Sequence, residues 1–201
     1  MSSRPFRRAL VTGMGGQLSR ELAATAPTGV EVRALGAAEL DIADRDAVLR
    51  AVGELAPDII LNAAAYTAVD LAEKEADVAD RVNHLAVGHL AEAAGGCGGR
   101  LVHVSTDYVF DGCSPIAYQP HDPTSPTSVY GRTKRDGEIA ALRSADALVV
   151  RTAWVYAPHG RNFVATMLRL MHERDEVRVV ADQVGTPTSA TGLARALWSL
   201  A

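Results

Sequence analysis

The spacing of apolar residues changes repeatedly along the chain. Short runs with little polar interruption alternate with longer stretches in which apolar residues recur every three to four positions. Arg8 to Val11, Val30 to Leu35, Asp58 to Asn62, Arg100 to Ser105, Ala147 to Arg151 and Val177 to Val180 belong to the first kind and predict short buried strands. Gln17 to Ala26, Asp44 to Leu55, Glu75 to Ala94, Tyr130 to Leu142, Phe163 to Glu173 and Thr191 to Leu200 belong to the second and predict helices. Asp44 suits an N-cap, Pro27 ends the first helix, and Gly95-Gly96-Cys97-Gly98-Gly99 stops the third. Strands alternating with helices imply an α/β chain with a doubly wound parallel sheet covered on both faces. The connection up to Val129 carries Pro115, Pro120, Pro123 and Pro126 and is too long for a turn, which marks it as a functional loop.

Composition narrows the class. The 201 residues are 48% hydrophobic and 22% charged, as in a globular protein with one large core. A net charge of -4 without a long basic run speaks against a nucleic-acid surface. Met1 to Arg8 is basic, but the apolar run behind it is only Ala9 to Val11, so neither a signal peptide nor a membrane span is expected. Cys97 and Cys113 lack metal or redox spacing, which points to a reduced, cytoplasmic setting, and the six histidines show no ligand spacing, so no metal is expected.

Two places carry candidate chemistry. Gly13-Met-Gly-Gly16-Gln17-Leu18-Ser19 sits between the first strand and the first helix, where free backbone N–H groups and the helix dipole suit a pyrophosphate. Such a turn can equally be structural. Asn62-Ala63-Ala64-Ala65 at the end of the third strand favours a dinucleotide, because small residues let it lie against the backbone. Arg33-Ala34-Leu35-Gly36 puts no acidic residue at the tip of the second strand to grip the ribose hydroxyls of NAD, so NADPH is favoured and NADH allowed. Asp41-Ile42 follows, where Asp41 either serves the site or merely starts a helix beside Asp44.

The second place joins Ser105-Thr106-Asp107-Tyr108-Val109-Phe110 to Tyr130-Gly131-Arg132-Thr133-Lys134. Thr106 falls at the carboxyl end of a strand, where open α/β sheets hold ligands, while Tyr130 and Lys134 are four apart on one helix face. An ammonium near the phenol would lower its pKa and tune it as a proton donor, and the Thr106 hydroxyl could bond the same carbonyl oxygen. The spacing alone also fits an amphipathic helix with a half-buried Tyr and a solvated Lys. Lysine is nonetheless rare here: among 20 basic residues only Lys74 and Lys134 are lysine, and a compact point charge in place of arginine's bulky planar fork points to a position where geometry matters.

With these residues in view, the chain resembles the extended short-chain dehydrogenase/reductases, and within them the branch that reduces a dTDP-4-keto-6-deoxy sugar. The resemblance rests on Gly13-x-x-Gly-Gln-Leu, Asp58-Ile-Ile-Leu-Asn-Ala-Ala-Ala-Tyr-Thr-Ala-Val-Asp70, Ser105-Thr-Asp-Tyr-Val-Phe-Asp111, Val129-Tyr-Gly-x-Thr-Lys134, Arg151-Thr-Ala-Trp-Val-Tyr156, Asn162-Phe and Asp182-Gln-x-Gly-x-Pro-Thr188, in that order over nearly the whole chain. It implies a Rossmann-like domain over residues 1–201, with 152–175 beginning a substrate lobe that relatives continue well past Thr188. It implies NAD(P)H-dependent reduction of dTDP-6-deoxy-L-lyxo-4-hexulose to dTDP-L-rhamnose. Thr106 would orient the carbonyl, Tyr130 would donate the proton, and Lys134 would hold the nicotinamide ribose. Gly13, Gly16, Gln17 and Leu18 would line the pyrophosphate, Asp41 and Ile42 the adenine, Ala63, Ala64 and Ala65 the ribose and phosphates, and Tyr108 the nicotinamide. Val69, Asp70 and Trp154 would face the sugar, and Asn83 would hold a water for proton relay. Glu21 matches a carboxylate that some relatives aim at a dimer-bridging Mg2+, but its partners there have no counterpart in these residues, so no metal is implied. The resemblance allows a homodimer. It also leaves open another nucleotide-sugar reductase or epimerase, or a non-catalytic dinucleotide-binding subunit.

Overall fold

The computed structural model describes residues 6–144 and 146–201. The first five residues of the basic N-terminal stretch lie outside the described residues. Five strands, β1 (Arg8–Thr12), β2 (Glu31–Leu35), β3 (Ile59–Asn62), β4 (Arg100–Thr106) and β5 (Ala147–Thr152), form one parallel sheet in the order β2-β1-β3-β4-β5. The chain runs outward from β1 to β2, then returns to place β3 on the other side of β1. That reversal opens a crevice at the carboxyl ends of β1 and β3, the position at which doubly wound sheets bind ligands.

The alternation inside each strand sorts the core onto two faces. Leu10, Ile60 and Leu101 point to one face, under α2 (Arg45–Leu55) and α5 (Ala86–Cys97), with Ala141 of α6 (Val129–Ala141). Ala9, Val11, Ile59, Leu61 and Val102 point to the other, under Leu18 and Leu22 of α1 (Gln17–Ala24) and Leu193, Ala194, Leu197 and Trp198 of α8 (Ala190–Leu200). Asp44 caps α2 as its sequence position predicts, accepting the Ala47 N–H at 3.0 Å.

The helix predicted over Glu75 to Ala94 is divided. It comprises α4 (Ala76–Asp80), a π-helical turn (Arg81–Leu85) and α5, which runs on through Gly95 and Gly96 and stops where Gly98 turns left-handed. A short α3 (Val69–Ala72) precedes it. The strand predicted over Val177 to Val180 does not form. Val179 and Val180 are exposed and pair with no strand among the described residues, so β-branched composition alone does not make a strand there. The second sheet is instead a pair of two-residue parallel strands, β6 (Val155–Tyr156) and β7 (Thr188–Ser189), flanking α7 (Phe163–Glu173). No helix among the described residues is long and apolar enough to cross a membrane.

Candidate active site

Gly13 begins the site at the end of β1. Its φ is +79°, and a Cβ there would lie 2.7 Å from Ala64 Cα, so only glycine lets the turn press against Ala63 and Ala64. Ser19, where a third glycine is usual, donates its hydroxyl to Gly13 O at 2.7 Å and braces the turn. Gly16 caps α1 without a side-chain hydrogen bond, leaving the first amides of that helix for a ligand. Leu18 is turned into the core, and Gln17 Oε1 accepts from Asn162 Nδ2 at 2.9 Å.

At the tip of β2 the structure corrects the sequence reading. Glu39 folds back so that its Oε2 accepts the Gly36 N–H at 2.9 Å, which brings a carboxylate to the strand end after all. Sequence position hides it because the reversal after Gly36, closed by Glu39 N–H to Gly36 O at 3.0 Å, returns a residue three places away. Asp41 is exposed and accepts the Ala43 N–H, while Ile42 sends its side chain into the core. Both lie in the turn that leads into α2.

Thr106 ends β4, and its hydroxyl accepts the Tyr108 N–H at 3.2 Å, closing the short helical turn that follows. The N-terminus of α6 is set by two groups: Ser128 Oγ accepts from Gly131 N–H at 3.0 Å, and Glu73 Oε1 accepts from Val129 N–H at 2.7 Å. A Cβ on Gly131 would sit 2.2 Å from Tyr108 O, so the glycine in Tyr-Gly-x-Thr-Lys lets α6 meet the end of β4. The result puts Tyr130 against Thr106. Tyr108, half-exposed, stands edge-on to the Tyr130 ring with centroids 5.5 Å apart, and Val69 packs on the same apolar cluster.

Tyr130 is buried, and loss of solvation holds its hydroxyl above the usual phenol pKa; a hydrogen bond with Thr106 pulls it back in part. Lys134 does not lower it as its spacing suggested. Its terminal nitrogen is turned away into the protein, donating to Val104 O at 2.7 Å and lying 3.4 Å from His103 Nε2. Lys134 is among the most buried side chains, and burial lowers its pKa to about 8 against the upward pull of Glu138. Glu138 is itself buried, accepts from Ser105 Oγ at 2.5 Å and pairs with Arg151 at 2.7 Å. Arg151 also lies over the Phe110 ring and donates to Pro120 O at 3.2 Å, anchoring the long loop.

The remaining sequence candidates fall around this centre with different fates. Trp154, just past β5, has a φ of +49° and is half-exposed with Gly185 against its indole, a strained position of the kind found at binding surfaces. Asp70 is exposed in the first turn of α3. Asn83 is a clamp: its Oδ1 accepts Tyr66 N–H at 2.9 Å and its Nδ2 donates to Tyr66 O and Thr133 Oγ1, so its side-chain donors are both engaged by protein. Glu21 accepts from Thr191 Oγ1 at 2.7 Å. Asp80, His84 and Asp136 bring three ligand-type atoms within 4.8 Å, a grouping invisible in sequence because Asp136 arrives from α6; Asp80 is bonded to His84 and Asp136 to Arg135.

The residues missed from sequence form a line behind the site. Thr12 Oγ1 donates to Asn62 Oδ1 at 2.6 Å, and Asn62 Nδ2 meets His103 Nδ1 at 3.0 Å, all buried. Their sequence signal is that Thr12 and Asn62 close apolar strands while His103 interrupts one, and strand register then makes the three neighbours.

Comparison with known proteins assigns the family. The profile of the family described as RmlD substrate binding domain matches residues 7–201. dTDP-4-dehydrorhamnose reductases of Sinorhizobium fredii and Burkholderia thailandensis are 48% and 47% identical over 96% and 92% of this chain, which spans 66% and 62% of their own lengths. A crystal structure of dTDP-4-dehydrorhamnose reductase from Bacillus anthracis, in complex with NADP, superposes with a TM-score of 0.94 at 38% identity, over 96% of this chain and 70% of that one. Because the likeness runs from the first strand to the last helix, and not only through the superfamily's glycine turn and Tyr-x-x-x-Lys pair, the chain belongs to the dTDP-4-dehydrorhamnose reductase family.

Proposed function

We propose that this protein reduces the 4-keto group of dTDP-6-deoxy-L-lyxo-4-hexulose to give dTDP-L-rhamnose, with NADPH as reductant. The observation that carries the reading is the meeting of Thr106 and Tyr130 at the carboxyl end of β4, in a chain of this family. The dinucleotide fits the residues present: Gly13 packs on Ala64 with no room for a side chain, and the first turn of α1 is uncapped. When bound, the nicotinamide supplies hydride to the sugar's C4.

The chain's own residues supply the proton and the alignment. Tyr130 presents its hydroxyl to the carbonyl oxygen, and Thr106, which donates to Asp107 Oδ1 at 3.1 Å in this structure, would rotate its hydroxyl to the same oxygen. Burial keeps the Tyr130 hydroxyl protonated at neutral pH, the form a reduction requires, and as charge develops on the carbonyl oxygen the phenol gives up its proton to form the product hydroxyl. Val69 and Trp154 would bound the sugar side, with Asp70 available to its hydroxyls. Residues 152–175 start the substrate lobe in this reading, and the free thiols Cys97 and Cys113 suit a cytoplasmic setting.

NADPH is assigned because the Bacillus anthracis relative is a complex with NADP. NADH is the second reading, favoured by the Glu39 carboxylate at the tip of β2. Binding isotherms for the two reduced cofactors decide between them. The activity is tested by NADPH oxidation with the keto sugar, comparing wild type with Tyr130→Phe. The variant should lose about 10²- to 10⁴-fold in kcat and keep its cofactor affinity. Wild-type turnover by Tyr130→Phe would remove the phenol as proton donor.

A further inference from the structure

The line Thr12–Asn62–His103–Lys134 fixes a proton position. Asn62 Oδ1 accepts from the backbone N–H of Ala64 at 3.2 Å as well as from Thr12. The Ala64 amide can only donate, so the Asn62 atom facing it is the oxygen, and the atom facing His103 Nδ1 is the NH2 group. His103 Nδ1 is therefore an acceptor. The neutral ring then carries its proton on Nε2, the nitrogen that faces Lys134 Nζ at 3.4 Å. An imidazolium would set N–H against N–H at Nδ1, and complete burial opposes it too.

A donor thus faces Lys134 from β4, beside the Val104 carbonyl that accepts from it. A neutral amine satisfies both: one N–H goes to Val104 O, and its lone pair accepts from His103 Nε2–H. An ammonium satisfies only Val104, and its remaining hydrogens meet the imidazole N–H. We propose that His103 is a positioning residue whose Nε2–H holds Lys134 as the neutral amine in this pocket, so that taking up a proton drives the side chain out toward the dinucleotide crevice. The destination rests on the reductase reading, in which Lys134 serves the nicotinamide ribose; the tautomer and the neutral amine do not.

The other groups around Lys134 agree in sign. Glu138, one turn on in α6, favours the ammonium but is paired with Arg151 of β5 and bonded to Ser105. Tyr130, one turn back, is held neutral by burial, with Asp107 beside it. Asp80 and His84, which enter the α6 face from the preceding helix and π-turn, are bonded to each other, and Asn83 does not titrate. Burial is the larger influence lowering Lys134, and the imidazole donor adds to it.

Only two lysines occur, so Cε-labelled lysine gives a two-line carbon NMR spectrum in which exposed Lys74 is an internal control. In the unliganded protein Lys134 should titrate well below the ordinary lysine range, and nitrogen NMR of the histidines should show one ring, lost in His103→Gln, that stays neutral with its proton on Nε2. Glutamine can present a carbonyl near the Nε2 position, so His103→Gln should raise the Lys134 pKa by about one unit, with the basic limb of cofactor binding moving by the same amount. A proton on Nδ1, an imidazolium at neutral pH, or an unchanged Lys134 pKa in folded His103→Gln would overturn the proposal. If that variant does not fold, Lys134→Met is the second test, in which the His103 Nε2–H resonance must shift. These spectra need no substrate, so the pocket can fail while the reductase reading stands, and the reverse.

Discussion

Helices α7 and α8 have the same length and comparable apolar faces, yet they live in different surroundings. Each spans eleven residues; α8 buries Ala190, Leu193, Ala194, Leu197 and Trp198, whereas α7 buries none. Trp198 stacks on Phe6 with centroids 5.9 Å apart and donates its indole N–H to Leu22 O at 3.0 Å. Phe163, Leu168 and Met171 of α7 are more than half exposed. Among the described residues nothing covers that face. An amphipathic pattern therefore shows that a helix forms and which side is apolar; whether that side becomes core depends on what lies opposite. The same contrast separates the two ends of the site, since the crevice at the carboxyl ends of β1 and β3 is walled by packed strands, and the Trp154 side by exposed segments.

The contrast breaks if the two helices respond alike to truncation. Trp198→Ala removes a filled ring position and a buried hydrogen bond, and should cost about 3–5 kcal/mol in urea unfolding. Met171→Ala, on the open face, should change stability by no more than about 0.5 kcal/mol. A comparable loss from Met171→Ala would show that α7 is packed in solution.

Within the packed half, one side chain is kept against the interests of the fold. Lys134 carries a pKa of about 8 in the folded protein against 10.5 for a free lysine, a penalty on the order of 3 kcal/mol. The sign follows from proton counting: between pH 8 and 10.5 the unfolded chain binds more protons, so this group's contribution to stability improves as pH rises through that window and is worst below it. Lys134→Met should therefore be more stable than wild type at pH 7, with the margin closing by about pH 10.5, while cofactor binding weakens. Urea midpoints at the two pH values measure it. A margin that does not change with pH would mean that burial does not oppose the charge.

How much of this was legible in the sequence follows the same division. The central strands could be read because burial on both faces makes them uninterrupted apolar runs, and α7 could be bounded at both ends because its period is strong. Val177 to Val180 misled because an apolar β-branched run reads as a strand whether or not a neighbouring edge exists to pair with it. β6 and β7, two residues each, are too short to leave a pattern and depend wholly on each other. In the site, Tyr130 and Lys134 were visible through spacing within one helix. Where Lys134 points was not, because His103 meets it only once α6 packs on β4, and Asn62 meets His103 only through the register of β3 on β4. Glu39 was hidden by a turn that returns it to the end of β2.

The smallest effect we predict tests the joint between the two regions. Asn162 caps α7 by accepting the Ala165 N–H at 2.9 Å, while its Nδ2 donates to Gln17 Oε1 at 2.9 Å and to Ala157 O at 2.8 Å. One side chain thus starts the open helix and holds the first residue of α1 beside the glycine turn. Asn162→Ala loses both functions, and should cost about 1 kcal/mol in the first turn of α7, read as faster amide exchange there, with the global unfolding midpoint nearly unchanged because α7 buries no residue. Asn162→Asp keeps the acceptor for Ala165 but has no donor for Gln17. It should restore protection in α7 and still weaken dinucleotide binding as far as the alanine variant does. If aspartate restores both, the tie to Gln17 has no part in binding; if it restores neither, the cap at Ala165 is not what starts α7.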